Sequence, residues 1–199
     1  MLLAVAAHCD ERSQKTLGAM SAAVRALGGH ELRFTVSAGG EIEPMEGTAT
    51  VSGASYRVVL PTGELLGDDK YTCSVDQLSQ TVTLSPSDPG DRSLLSNPAR
   101  AFDLLDGAFT HRYVGQATMG GRECSQLSLT PTDAHLPVRR LTLWVDGQNL
   151  PVALRYEIEG LQSPVEITVR SIRPAPQVDR SSLAFDKKRY KNYEIVDLR

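Results

Sequence analysis

The 199-residue chain has one tryptophan, three cysteines and no basic surplus. No apolar run approaches the roughly 18 residues that a membrane-crossing helix needs. Each shortage excludes something. Three cysteines cannot all pair with one another, and positions 9, 73 and 124 match no zinc or redox spacing. A formal net charge of −3 argues against a dedicated nucleic-acid binder, and a single tryptophan offers no platform for stacked bases. The four histidines (His8, His30, His111, His135) each lack a second His or Cys at ligand spacing, so they read as surface or turn residues and no metal is expected. Gly53-Ala54-Ser55 lacks the second glycine of a nucleophile elbow. Gly120-Gly121 lies between strands rather than before a helix, so it cradles no phosphate. Asp68, Asp69 and Asp186 read as solvated turn residues. The sequence therefore predicts no catalytic residues, no cofactor and no enzyme.

Charge is unevenly spread. Residues 170–199 carry eight Lys or Arg against four Asp or Glu, on an otherwise acidic chain. Lys187, Lys188, Arg189 and Lys191 are the candidate docking patch; the plainer reading is a solvated turn. At the other end, Leu2 to Ala7 with Ala4 and Ala6 resembles the tail of an export signal with a truncated start. His8 occupies the place where a lipobox wants a small residue, so Cys9 is not read as lipidated.

Residues 13–28 form the one long helical pattern, with Leu17, Met20, Val24 and Leu27 on a single stripe, Ser13 as cap and Gly28-Gly29 as stop. From His30 the texture changes to short alternating runs at 34–36, 48–53, 56–60, 70–75 and 81–84. Ser96-Asn97-Pro98 then opens a second helix over 97–107, with Ala101, Phe102, Leu104 and Leu105 as its apolar side. Strands resume at 113–119 and 122–129, joined by a Gly120-Gly121 hairpin turn, and continue at 138–145, 152–158, 166–172, 181–185 and 193–198. Cys73 shares a face with Tyr71 and Val75, whereas Cys124 lies opposite Leu127 and Leu129, so the two thiols are not expected to pair.

This is a mainly β (α+β) pattern of about ten or eleven antiparallel strands with two helices. A sheet that long curls or closes, which predicts a strongly curved, unclosed barrel with an N-terminal helix and a central helical lid. Residues 1–12 read as residual signal or disordered, and 13–199 as one domain.

The inward surface would comprise Phe34, Val36, Val58, Leu60, Tyr71, Val75, Val82, Leu84, Leu127, Leu129, Leu141, Leu143, Val145, Leu154, Tyr156, Ile158, Ile167, Val169 and Phe185. Most of these are core on the plainer reading. The functional reading is an apolar cleft for a lipid or acyl chain, with Leu17, Met20, Val24, Phe102 and Leu105 contributed by the helices. Each methylene buried there is worth about 0.8 kcal/mol, so no polar anchor is required.

The order of elements resembles the outer-membrane lipoprotein carrier (LolA-like) family. The resemblance rests on Phe34-Thr35-Val36, Gly47-Thr48-Ala49-Thr50-Val51, Tyr56-Arg57-Val58-Val59-Leu60-Pro61 and Leu65 to Val75. It continues through Asn97-Pro98 with Leu104-Leu105, Leu127 to Pro131, Leu141 to Asp146, and Phe185 with Tyr193 to Arg199. It implies a periplasmic, monomeric carrier that shields lipoprotein acyl chains. Such a carrier receives its cargo from an inner-membrane ABC release complex and hands it toward the outer membrane. It also implies a lid contact for Arg57. The family's Arg-Pro pair is missing near Ser52-Gly53, and Cys73 stands where Trp is frequent. The alternative on the same fold is an envelope sensor or interaction module that binds a protein partner or another lipid.

Overall fold

The computed structural model describes residues 10–40, 42–88 and 90–199; the proposed signal remnant at Leu2 to Ala7 lies outside them. Asp10 rather than Ser13 caps the helix α1 (Glu11–Ala26), its Oδ1 accepting the Ser13 N–H at 2.6 Å. The helix thus begins two residues earlier than expected. Gly28 takes φ 65° just beyond the helix, as the stop signal required.

Twelve strands follow: β1 (His30–Ala38), β2 (Ile42–Ser52), β3 (Ser55–Leu60), β4 (Gly63–Gly67), β5 (Tyr71–Asp76), β6 (Thr81–Pro86), β7 (Phe109–Met119), β8 (Arg122–Pro131), β9 (Val138–Asp146), β10 (Pro151–Ile158), β11 (Val165–Pro174) and β12 (Glu194–Asp197). They form one sheet in the order β12-β6-β5-β4-β3-β2-β1-β11-β10-β9-β8-β7, a linear order that does not close. The ladders from β2 to β6 and from β7 to β11 are antiparallel, as expected, whereas β12 runs parallel to β6. The hairpin at Gly120-Gly121 has φ 57° and 77°, the pair of positive values that a two-residue β turn demands.

Three expectations fail locally. β4 had no counterpart in the sequence reading. The segment 181–185 is not a strand: Asp179 accepts the Ser181 N–H at 2.9 Å and caps a 3-10 helix, Arg180–Leu183. Asp186 does the same for a second one, Lys187–Tyr190. The third concerns 97–107, which is a chain of turns and no helix. Its bonds run from Arg100 N–H to Asn97 and from Asp103 N–H to Arg100, one per three residues. Winding at three per turn puts Pro98, Ala101 and Leu104 inside together and leaves Leu105 41% exposed.

The chain forms two compact units. The first takes in α1 as far as Ala23, Ser37–Glu43 and Leu104–Thr168. Here Leu127 pairs with Leu143 and Leu129 with Leu141, while Leu154 faces Leu143 and Tyr156 faces Leu141. These six share one side of the sheet and are buried, the four β8–β9 leucines completely. His111 and Tyr113 belong to that side by register, and α1 is tied to both of them. The helix therefore lies on the apolar side. The other side carries a smaller cluster of Cys124, Trp144, Val152 and Ala153.

The second unit takes in Val24–Val36, Pro44–Asp103 and Val169–Arg199. It has an apolar group on each side of its strands. On one side lie Ala49 and Val51 of β2 with Tyr56 and Val58 of β3. On the other, Leu66, Cys73, Val75, Val82 and Leu84 form a separate core under Tyr190, with Tyr71, Phe185, Tyr193 and Ile195 packed against it. The buried side changes at β4, where Leu65 faces one way and Leu66 the other.

Candidate functional site

The register of β3, β4 and β5 builds the site. Val58 pairs with Leu65 and Leu65 with Ser74, while Leu60 pairs with Gly63 and Gly63 with Asp76. Paired residues share a side, so Val58, Leu60, Leu65 and Ser74 line one surface. Leu95, from the turn segment after β6, completes a groove of about 310 Å³ with Thr62, Gly63, Glu64, Val75 and Asp76. Val58 is buried; Leu60, Leu65 and Leu95 are half-buried. The floor is aliphatic, and the rim carries Asp76 and two hydroxyl side chains, Thr62 and Ser74. An arrangement of this kind can hold an apolar chain by area alone.

The residues expected to form a single cleft are distributed over several places. Val58, Leu60 and Val75 line this groove. Tyr71 and Leu84, with the side chain of Val75, belong to the core on the far side, covered by the C-terminal strap 185–195. Phe34 and Val36 are buried on the apolar side of β1, and Phe102 and Val24 are buried in the same unit. In the first unit, Leu17, Met20, Leu127, Leu129, Leu141, Leu143, Leu154 and Tyr156 are all buried, while Leu105 is exposed beside Gly18. Leu65 and Leu95 were missed. The signal for Leu65 was the Gly63-to-Gly67 run between two turn sequences.

Arg57 sits between Tyr56 and Val58, so alternation sends it to the opposite side from the groove. There its Nε donates to Glu64 at 2.9 Å, and the Tyr190 hydroxyl donates to the same Glu64 oxygen at 3.3 Å. Arg57 thus joins the network under the C-terminal strap instead of the 97–107 segment. Lys187, Lys188, Arg189 and Lys191 are exposed on that strap, on the side away from Val58 and Leu65.

Two histidines are not the surface residues the sequence suggested. His30 and His111 are both buried. His111 Nδ1 lies 2.7 Å from Ser13 Oγ, and Asp10 adds a carboxylate, accepting the backbone N–H groups of Ser13 and Tyr113 at 2.6 Å each. The trio resembles a catalytic set only in composition. Asp10 makes no hydrogen bond to the imidazole, and Ser13 is fully buried with its oxygen also 2.8 Å from the Asp10 carbonyl. It anchors the helix. Arg12 stacks over the Tyr113 ring at 3.8 Å and reinforces the anchor.

Both described cysteines are free and buried. Burial, with Glu64 nearby, pushes the Cys73 thiol up to about 11; burial and Asp146 raise Cys124. No helix among the described residues is long and apolar enough to cross a membrane.

No sequence-family model matches the chain, and no curated protein does either. Solved structures do. An uncharacterized conserved protein from Thermus thermophilus superposes with a TM-score of 0.64 at 10% identity, over 94% of this chain and 99% of its own. MucB follows with a TM-score of 0.53 at 18% identity, over 94% of this chain and 66% of MucB. A domain from Vibrio parahaemolyticus described as an outer membrane lipoprotein-sorting protein gives 0.50 at 10% identity, over 90% and 99%. The chain thus shares its fold with these three proteins.

Proposed function

We propose that the protein is a carrier that binds the acyl chains of lipoproteins, or of a lipid, in an apolar groove and moves them across the bacterial envelope. The observation that carries this reading is the groove of about 310 Å³ on the Val58–Leu65 surface, with Leu95 at its edge. Aliphatic walls with no cationic side chain in the lining suit a hydrocarbon that must be released again, because burial is non-directional and each methylene adds only a small increment. The turn segment that bears Leu95 has one i→i−3 backbone bond per three residues between Asn97 and Asp103, fewer than a helix supplies. The fold shared with a lipoprotein-sorting domain supports the same reading. On it the protein is exported to the periplasm, acts as a monomer, and receives cargo from an inner-membrane ABC release complex.

The test is titration with a triacylated lipopeptide. Leu65→Glu, which puts a charge on the groove wall, should weaken binding at least tenfold with little change in melting temperature. Leu84→Ala, in the core on the other side, should lower the melting temperature and leave affinity unchanged. A wild-type chain that ignores the lipopeptide yet captures a membrane-anchored regulator overturns the carrier reading in favour of a sensor.

A further inference from the structure

Beyond β4, the face that carries the groove turns from aliphatic to polar. The register crosses it in two rows, Leu60–Gly63–Asp76–Thr81 and Val58–Leu65–Ser74–Thr83. Paired residues share a side, so both rows stand on one surface. Its β3–β4 half holds Val58, Leu60 and Leu65; its β5–β6 half holds Ser74, Asp76, Thr81 and Thr83. Gly63 puts no side chain between Leu60 and Asp76, and none fits, because a Cβ there would strike the Val75 carbonyl oxygen. A hydrocarbon laid on Leu60 therefore runs toward a carboxylate.

Two carboxylates and no cation line the groove. Glu64 is neutralised on the far side by Arg57, whose Nε donates to it at 2.9 Å. Asp76 has no such partner. Its Oδ1 accepts the Leu78 and Ser79 N–H groups at 2.8 and 2.9 Å, and no Lys or Arg pairs with it among the described residues. The Ser79 N–H is the main cause that holds its carboxyl below the ordinary 3.8. The polar half thus presents one unbalanced negative charge among hydroxyl oxygens, all of them hydrogen-bond acceptors.

From this arrangement, and resting on the carrier reading, we propose that the groove takes acyl cargo with a free ammonium beside the hydrocarbon: the N-terminus of a diacylated lipoprotein in preference to an N-acylated one. The α-amine donates to Asp76 and to the hydroxyl oxygens of β5 and β6, while the chain lies on Val58, Leu60 and Leu65. N-acylation turns that amine into a neutral amide and removes the charge. A phosphoethanolamine lipid also ends in an ammonium, but its phosphate lies nearer the chain and meets Asp76 first, a like-charge contact.

The test is calorimetric titration, below micelle-forming concentrations, with a diacylated lipopeptide bearing a free N-terminal amine, its N-acetyl derivative and lysophosphatidylethanolamine. The free amine should bind about three- to fivefold tighter than the N-acetyl form, the gain from one solvent-exposed ion pair. Added salt should narrow that gap. Asp76→Asn keeps the oxygen that the Leu78 and Ser79 N–H groups need, so the melting temperature should hold while the gap closes. Thr62→Lys, which sets a cation in the same lining, should close it as well. Equal binding of the two lipopeptides by the wild type overturns the inference and leaves the carrier reading standing, and so does a gap that survives Asp76→Asn. Lysophosphatidylethanolamine binding as tightly as the free-amine lipopeptide overturns the choice of cargo. Binding of neither lipopeptide overturns the carrier reading, and this inference with it.

Discussion

The Ser13 hydroxyl lies 2.7 Å from His111 Nδ1, joining positions 98 residues apart in the sequence. With Asp10 on the Tyr113 N–H, it fixes the start of the helix to the edge strand β7. A buried hydrogen bond of this type is worth about 1 kcal/mol net, and removing one partner costs more because the other is stranded. Ser13→Ala and His111→Ala should therefore each destabilise the protein by about 1–3 kcal/mol, with a favourable coupling energy in the double-mutant cycle. Additive losses in urea unfolding would show that the contact contributes nothing.

Acid should erode stability in two stages. Burial lowers the His30 pKa from its ordinary 6.5, with the Gly28 carbonyl offsetting part of the shift. The unfolded chain then binds the proton more readily than the folded one. The stability is complete above about pH 6.5 and falls as the pH drops below that value. His30→Asn, which keeps a donor for Gly28, should flatten the slope between pH 7 and 5. Asp10 acts lower down. Its partial burial raises its pKa, and the Ser13 and Tyr113 N–H groups outweigh that and bring it below 3.8. Its contribution is present above that value and is lost as the pH falls through the folded-state pKa. Urea midpoints measured across the range separate the two stages.

The Tyr56 hydroxyl is buried with no hydrogen-bond partner. Gly67 faces Tyr56 across the β3–β4 ladder, and a side chain there would strike the phenol. Tyr56→Phe removes only the stranded hydroxyl, so stability should stay level or rise by up to about 1 kcal/mol. Gly67→Ala should cost about 1–3 kcal/mol through overpacking. A Tyr56→Phe loss larger than that of Gly67→Ala would mean that the hydroxyl has a partner.

Gly47 poses the same problem more sharply. A Cβ there would sit 2.6 Å from the Phe34 ring and 2.7 Å from Leu60 Cδ2. Gly47→Ala should destabilise by about 1–3 kcal/mol, and Phe34→Leu in the same chain should recover part of the loss. Thermal melts of the single and double variants decide it.

Cys73 reports on the C-terminal strap. Tyr190 stacks on Phe185 at 5.8 Å and meets Tyr193 edge-on at 5.6 Å, closing the core above the thiol. In a chain whose other two cysteines are serine, Tyr190→Ala should raise labelling by a disulfide reagent at pH 8 by at least tenfold. Tyr190→Phe, which loses the hydroxyl and keeps the ring, should raise it far less. Equal rates in the two variants would show that the ring does not guard Cys73.

Much of the architecture could be read from alternation and turn residues. The strand bounds near Tyr56, Thr81, Arg122 and Val138, the Gly120-Gly121 hairpin and the separate settings of Cys73 and Cys124 all depend on short-range patterns. The location of the site did not. Alternation divides one strand into two faces, but only the cross-strand register says which faces match. The register between β3 and β5 passes through β4, a five-residue strand with glycine at both ends and no β-branched residue. Without it, Val58 and Leu84 look equivalent; with it, they lie on opposite sides. The lid failed for a different reason. Ala101, Phe102, Leu104 and Leu105 fit the apolar side of a helix, yet the backbone takes three residues per turn, and no side-chain pattern distinguishes those windings over one or two turns.

The strap has a consequence for the order of folding. Among the described residues, the face formed by Leu66, Cys73, Val75, Val82 and Leu84 is covered by Phe185 to Ile195, which lie far downstream of β6 in the sequence. During synthesis β4 to β6 can pair, but their apolar side stays uncovered until Phe185 to Ile195 have been made. A chain stalled or clipped before Phe185 therefore presents a sticky sheet face to its neighbours. That face is closed only after the strap has emerged from the ribosome.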